Sequence, residues 1–450
     1  MVSKRKPLVV ILGCTGTGKS DLGVAIAKNF NGEVISADSM QIYKGLDIAT
    51  NKITPEEMKG VVHHMMSFVE PSTSTYNVHQ FTKQVLLLLE KLWHAEKLPV
   101  VVGGTGYYIE RILFKHNLIF TNTYGADSFI LDDKYAFEDM SDDEVYELLK
   151  RIDLKSAMQV HKNNRFRVVR ALQIYYATGR RKSEYLEEQN QKLKLGERLR
   201  FPNLLLCILD ARPDLLENRL SERTARMIER GLRNEIEEFY EQYQHCLTKH
   251  GIAQSIAVKE FHEYLQLDPE KRHTELGDKL FTKGCEALKL HTLQYSRRQR
   301  RWIKHHFLLG NSAEEVKALV FLQVKHLCRN LCHLLKIFLN CNDLFMSSIT
   351  VFQLPNIKLL DTSENFHECV VPETLREVGR FLHTVESSTG VAENQHGFGL
   401  DLNYRELANQ IYHCESCGID VHGTVNWQAH LKGKKHHKML KKNESSELKN

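Results

Sequence analysis

No run of apolar residues in this 450-residue chain approaches the roughly 18 needed to cross a bilayer, which excludes an integral helical membrane protein. A secretory signal is missing as well. Lys4-Arg5-Lys6 precedes only five apolar residues, Leu8 to Leu12, before glycine intervenes, so this stretch reads as a first strand. The ten cysteines lack framework spacing and are scattered through a long chain, which argues for reduced thiols in the cytosol, the nucleus or an organelle matrix. There is no strong charge excess either. At a net charge of +5, a polyanion is gripped only where basic residues cluster, as at Arg297-Arg298-Gln299-Arg300-Arg301 and from Lys432 onward. Such runs also serve as ordinary solvated helix faces. The composition, 42% hydrophobic and 26% charged, is that of a soluble globular protein, and the length suggests two or three units.

What is present begins at Leu8. The apolar run LVVIL feeds Gly13-Cys14-Thr15-Gly16-Thr17-Gly18-Lys19-Ser20, and a helix-forming stretch, Asp21 to Asn29, follows. This is the G-x-x-x-x-G-K-[ST] spacing in its strand–turn–helix context. The glycines let backbone N–H groups close around phosphate oxygens, the helix N-terminus adds partial positive charge, Lys19 reaches the outer phosphate, and Ser20 offers a ligand to Mg²⁺. A glycine turn used only for packing would not need the Lys-Ser pair. The loop leaves open whether its ligand is a nucleotide or another diphosphate.

Further strands are expected at Glu33–Ala37, ending on Asp38-Ser39-Met40-Gln41, and at Leu98–Val102, ending in Gly103-Gly104-Thr105-Gly106. Helical patterns cover Val78–Glu96 and Tyr107–Phe114. Alternation of this kind predicts an α/β fold: a P-loop parallel sheet with helices on both faces, whose strand ends gather the loop, Asp38 and Thr105 at one crevice. Residues 1–115 make the first part of this core, and 116–203 read as a charged helical insertion with an amphipathic stretch at Asn164–Thr178. The core resumes over 204–311, with a buried strand at Leu204–Leu209, a helical stretch Pro213–Tyr243 and a long helix Thr274–His306. Residues 312–400 are assigned as a linker or insertion, with an odd Leu-, Phe- and Cys-rich run to Leu360 and a polar stretch Val385–Gly399; 443–450 form a polar tail.

Residues 401–442 carry Cys414-x₂-Cys417-x₁₂-His430-x₅-His436, the C₂H₂ zinc-finger spacing. Two thiolates and two imidazoles make a closed, structural Zn²⁺ site. A module this small gains its stability from the metal, roughly 10–16 kcal/mol at neutral pH. Aromatic Tyr412 and Trp427 and apolar Leu431 lie nearby, which argues against a coincidental spacing, and His437 competes with His436 for the fourth position. The lysine-rich LKGKKHHKMLKK from Leu431 suits nonspecific contact with a nucleic-acid backbone; contact with another protein is the alternative.

A P-loop phosphotransferase would place an Asp at a strand end to hold Mg²⁺, yet the strand at Leu98 ends in Gly-Gly-Thr-Gly. Asp38 ends the second strand and is placed to hold metal or to act as a base. Together with GCTGTGKS, ISADSMQIY from Ile35, GGTGYYI from Gly103 and NNRFRVVRAL from Asn163, the chain resembles the tRNA dimethylallyltransferases. Arg219-x₃-Arg223-x₃-Met227-x₃-Gly231-Leu232 and Gln254-Ser255-Ile256-x₂-Lys259-Glu260-Phe261 fit the same family, and the finger matches its eukaryotic branch. The resemblance spans roughly residues 7–306 in order. One departure is Ala257-Val258, where the family usually shows glycine and then an aromatic.

The resemblance implies transfer of a dimethylallyl group from dimethylallyl diphosphate to N6 of adenosine-37, beside the anticodon's 3′ end, releasing pyrophosphate. Gly13, Cys14, Thr15, Gly16, Thr17, Gly18, Lys19 and Ser20 would hold the diphosphate with Mg²⁺, Asp38 would be the general base, and Thr105 and Arg223 would stabilise the leaving group. Asp38, Ser39, Met40 and Gln41, Phe166, Arg167, Val168, Val169 and Arg170, and Ile252, Ala253, Gln254, Ser255, Ile256 and Ala257 would contact the tRNA anticodon stem-loop. The blander roles are a turn cap for Asp38, a turn residue for Thr105 and a surface ion pair for Arg223. A monomer in the cytoplasm is expected, with mitochondrion and nucleus left open. The rival functions are a P-loop kinase of a small molecule or nucleoside, and a noncatalytic zinc-finger RNA-binding protein.

Overall fold

The structure is a computed structural model describing residues 6–73, 75–115, 137, 139–192, 199–247, 251–308, 357–363, 365–387, 411–422, 424–431, 433, 436, 437 and 439. Its first unit contains the described residues of 6–115, 199–308 and 357–387. Six parallel strands build the sheet: β1 Leu8–Gly13, β2 Gly32–Ser36, β3 His63–His64, β4 Leu98–Gly103, β5 Leu204–Asp210 and β6 Ile357–Asp361. Their order across the sheet is β3-β2-β4-β1-β5-β6, so the phosphate-loop strand is central.

Strand periodicity sorts side chains onto two faces. Leu8, Val10 and Leu12 share an apolar layer with Phe81, Val85 and Leu89 of α2 (Val78–His94) and with Ile109 and Ile112 of α3 (Gly106–Leu113). Val9 and Ile11 join the opposite layer with Leu22 and Ile26 of α1 (Lys19–Asn29). Helices therefore cover both faces, as the alternating pattern predicts. α1 begins at Gly18, whose φ of 79° lies in the left-handed region that favours glycine, and this turn aims the first helical N–H groups back at the loop.

The described residues of 116–198 form the second unit's helical part: α4 Asp142–Ile152, a short helix Leu154–Met158, α5 Arg165–Thr178 and α6 Lys182–Lys192. Ser141 and Glu144 make a reciprocal capping box at the start of α4, and Asn164 caps α5, which ends at Gly179 with φ 70°. Val145, Leu149, Ala157, Val160, Val168, Ala171 and Leu172 form its own core. Buried Asp153 ties the helices together by accepting from Ser156 N (3.0 Å), Ser156 Oγ (2.6 Å) and Ser183 N (3.0 Å).

Two expectations need correction. The helical stretch 213–243 is two helices, α7 Pro213–Glu229 and α8 Leu232–Tyr243, because Gly231 adopts φ 93° and breaks the backbone register. Residues 357–387, read as part of a linker, belong to the core. β6 pairs with β5 from Leu206–Ile357 to Asp210–Asp361, and α10 (Val371–Ser387) places Val378, Phe381 and Val385 in the layer that holds Leu22 and Ile26. A five-residue edge strand carries little pattern of its own. The two-residue β3 gave no sequence signal either. The run 312–356 and the polar stretch from 388 to 399 lie outside the described residues.

If 357–387 is core, Phe381→Ala should destabilise the protein by about 3 kcal/mol in denaturant unfolding, since a buried aromatic leaves a cavity. A loss below about 0.5 kcal/mol, the range of surface substitutions, would return the segment to linker status.

Candidate active site and metal centre

The carboxyl ends of β1, β2 and β4 open onto one cavity of about 1130 Å³. Lining it are Thr15–Ser20 of the glycine-rich loop, Asp38–Gln41, Gly103 and Gly104, Arg219, Arg223 and Arg226 of α7, Gln254–Ala257, and His291, Tyr295 and Gln299 of the long helix α9 (Glu275–Ile303). The loop and Asp38 therefore converge, as the strand-end argument predicts, and Arg223 joins them from α7, whereas Thr105 does not itself line the cavity. Thr105 sits at the start of α3 and is joined to this wall by hydrogen bonds: its Oγ1 accepts from Ser39 N (3.2 Å) and donates to Ser39 Oγ (3.4 Å).

Inside the loop, Thr17 is fully buried and donates to Cys14 O (2.8 Å), which shapes the turn. Cys14 is buried, and burial raises its thiol pKa, so it packs as an apolar group. Lys19 Nζ donates to Cys14 O at 2.7 Å. Burial holds the Lys19 ammonium down at about 8; Cys14 and Asp38 favour its charged form and Arg223 opposes it. Burial likewise holds Arg223 down at about 10, with Asp38 favouring the charge and Arg226 opposing it. Arg223 donates to Thr15 Oγ1, while its Nε is buried with no hydrogen-bond partner. That donor and the costly desolvation of two cations are what an anionic ligand would compensate.

Asp38 sits among these cations. Its Oδ1 accepts from Met40 N at 3.0 Å, so the carboxylate does cap its turn, and this bond also orients it. The segment after it is fixed from α8, where Glu235 accepts from Ile48 N (2.7 Å) and Ala49 N (2.8 Å). Gln41 Nε2 donates to Asn51 O (3.1 Å). Asp210 ends β5, but it does not line the cavity, and Arg300 holds its Oδ2 at 2.7 Å.

Sequence reasoning missed the contribution of α9. Gln299 accepts from Thr15 N (3.0 Å) and donates to Gly104 O (2.9 Å), joining the two glycine-rich loops. Tyr295 lies against Thr105 and Gln299, and burial, aided by Asp38, pushes its phenol up to about 12. Gln299 is the centre of the RRQRR run and Tyr295 lies just before it, in a stretch that reads as a basic surface; spacing of four residues along one helix was the available signal.

The expected tRNA-contacting residues divide. Phe166 is 75% exposed, and Arg167 is exposed beside it on α5. Val168 and Ile252 are each only 1% exposed and sit in hydrophobic cores. Ser255 caps the helix Ile256–Glu260 by accepting from Val258 N (3.3 Å), and Ala257 is buried against the cavity wall.

The C-terminal module is a hairpin, β7 Ile411–Cys414 with β8 Ile419–His422, followed by α11 Thr424–Leu431. Cys414, Cys417, His430 and His436 place their ligand atoms within 4.8 Å of one another. The Cys414 and Cys417 sulfurs lie 3.5 and 3.4 Å from His436 Nδ1, and His430 Nε2 is a buried nitrogen with no partner. A tetrahedron built on metal–sulfur and metal–nitrogen bonds of about 2.3 and 2.0 Å has edges near 3.5 Å, so these donors fit a metal ion. His436 is buried and His437 exposed, which decides between the two. Trp427 stacks on Tyr412 (centroids 5.3 Å apart, planes 8° apart), whereas Leu431 is 37% exposed and not core. Most of the lysine run lies outside the described residues.

A central glycine-rich strand–turn–helix in an all-parallel sheet, facing a cation-rich cavity, defines an α/β P-loop protein. Residues 41–306 match the family described as IPP transferase. The chain is 34% identical to the tRNA dimethylallyltransferase of Mus musculus, covering 98% of this chain and 87% of the relative. It is 31% identical to that of Schizosaccharomyces pombe, covering 96% and 94%. A solved eukaryotic dimethylallyltransferase acting on tRNA superposes with a TM-score of 0.67 at 27% identity, covering 98% of both chains. The similarity to the tRNA dimethylallyltransferase of Oceanobacillus iheyensis, 34% identical, covers 67% of this chain. The chain belongs to the IPP transferase family.

Because Lys19 loses its proton as pH rises through about 8, pyrophosphate binding at about pH 9 should draw a proton back onto it. Calorimetry in buffers of different ionisation enthalpy should show greater proton uptake by the native protein than by Lys19→Arg at about pH 9, and equal values at about pH 6. Equal values at both would mean that Lys19 does not meet the anion.

Proposed function

We propose that this protein transfers the dimethylallyl group of dimethylallyl diphosphate to N6 of adenosine-37 in tRNA, giving N6-isopentenyladenosine and pyrophosphate. The observation that carries the reading is the single cavity in which Lys19, Arg223 and the loop amides face Asp38. Its volume of about 1130 Å³ has room for a prenyl diphosphate and an extruded base.

In this reading the diphosphate lies on the loop amides between Lys19 and Arg223, with Mg²⁺ at Ser20; Mg²⁺ supplies further charge neutralisation when bound. Ser20 and Asp38 offer oxygen donors from the same cavity wall, which suits a hard cation. As the allylic C–O bond breaks, the departing oxygen gains negative charge that the buried cations are already placed to meet. N6 of the adenine attacks the released carbon, and Asp38 takes the N6 proton. Thr105, held by Ser39 and Tyr295, positions the reacting edge. Exposed Phe166 and Arg167 serve as RNA-facing groups, by stacking and phosphate contact respectively.

The kinase alternative loses support from the strand-end acids. Asp210 lies outside the cavity with its Oδ2 held by Arg300, and no acid follows β4 before α3. The finger is assigned a structural Zn²⁺ and a backbone-gripping role toward tRNA.

Asp38→Ala and Arg223→Ala should each lower turnover by about two to three orders of magnitude, read as label transferred from dimethylallyl diphosphate to undermodified tRNA. Near-native turnover in either variant would remove that residue from the mechanism, and ATP turnover without prenylation would favour the kinase. Deleting residues 405–450 should weaken tRNA binding and flatten its salt dependence while sparing the chemical step. An unchanged salt slope would assign the finger to protein contact.

A further inference from the structure

The family region ends at residue 306, yet the segment 357–387 reaches back to the phosphate loop. Parallel pairing of β6 with β5 brings Thr362 beside the carboxyl end of β5, where its N–H donates to Asp210 O at 2.8 Å. Thr362 is fully buried. Arg219 donates to Thr362 O, to Thr362 Oγ1 (3.3 Å) and to Gly16 O (3.4 Å), so one guanidinium ties β6 to a carbonyl of the loop. Four residues further on, the ring of Phe366 lies over Gly18; a Cβ on that glycine would stand 2.8 Å from the ring's Cζ. α10 then packs along α1, the helix that the loop initiates.

We propose that Thr362 and Phe366 are positioning residues for the phosphate loop, setting its affinity for the diphosphate of the prenyl donor. The inference rests on the donor assignment given under the proposed function. Gly16 and Gly18 both hold left-handed φ values, 90° and 79°, and glycine pays the largest entropy cost for being fixed. A ring over one and a guanidinium on the other narrow that freedom before the anion arrives. Preorganised N–H groups then bind without a further ordering cost. Thr362 does not line the cavity and acts through the loop; Phe366 does line it, and its effect on the diphosphate runs through the ring's hold on Gly18.

The test uses the full chain, with inorganic pyrophosphate and Mg²⁺ as the binding probe. Phe366→Ala should raise the pyrophosphate Kd, and the KM for dimethylallyl diphosphate, by about tenfold, leaving kcat and the KM for tRNA within about twofold. Phe366→Leu should recover most of the loss, and Thr362→Val should show a smaller rise in the same direction. A pyrophosphate Kd within about twofold of native in Phe366→Ala overturns the proposal, as does a proportional rise in the KM for tRNA. If Phe366→Ala does not fold, Phe366→Leu and Thr362→Val decide, and unchanged Kd in both overturns it. Failure of the native protein to prenylate tRNA would sink the functional reading instead, with pyrophosphate binding still reporting on the loop.

Discussion

The site depends on how closely backbones approach at the carboxyl edge of the sheet. A Cβ on Gly103 would stand 2.3 Å from Ala37 O, and one on Gly104 would stand 2.4 Å from Gln299 Nε2. Only hydrogen fits against the backbone at Gly103, and a side chain at Gly104 would displace the Gln299 amide. That proximity lets β2 and β4 end side by side, and it lets Gln299 reach from Gly104 O to Thr15 N. Without it Asp38, Thr105 and the phosphate loop would occupy separate strand ends instead of one wall.

Electrostatics follows from that geometry. Lys19 and Arg223 are drawn out of water against one another, and burial lowers both, to about 8 and about 10. A protein tolerates such desolvation where something else is gained, and cavities with perturbed groups are where function concentrates. Asp38 is the partner that both cations feel, and its bond from Met40 N sets its direction. The rest of the core keeps this arrangement rigid: Glu235 pins the backbone at Ile48 and Ala49, and Gln299 and Tyr295 couple α9 to both loops.

Much of this was legible beforehand. The central strands announced themselves as unbroken β-branched runs, and the glycine loop, Asp38, Arg223 and the finger ligands lay in recognisable spacings. What escaped were features whose partners are distant in sequence. Gln299 and Tyr295 look like members of a basic helix until α9 is laid against Thr15 and Gly104. β6 is five residues after a long insertion, and only its register with β5 gives it meaning. Val168 sits within a motif and Ile252 just before one, but a motif does not tell which side of a helix faces inward, and both turned inward.

By itself the sequence determined the local chemistry: a left-handed turn at Gly18, a phosphate-suited loop, a carboxylate ending β2 and four metal donors in finger spacing. These follow from φ preferences, side-chain type and short-range periodicity, which act within a few residues. The tertiary structure alone decided which groups share the cavity, that Asp210 is spent on Arg300, that His436 and not His437 joins the cluster, and that Phe366 rests on the loop. Those outcomes depend on strand order and on packing across hundreds of residues, and desolvation acts only once the chain has closed around them.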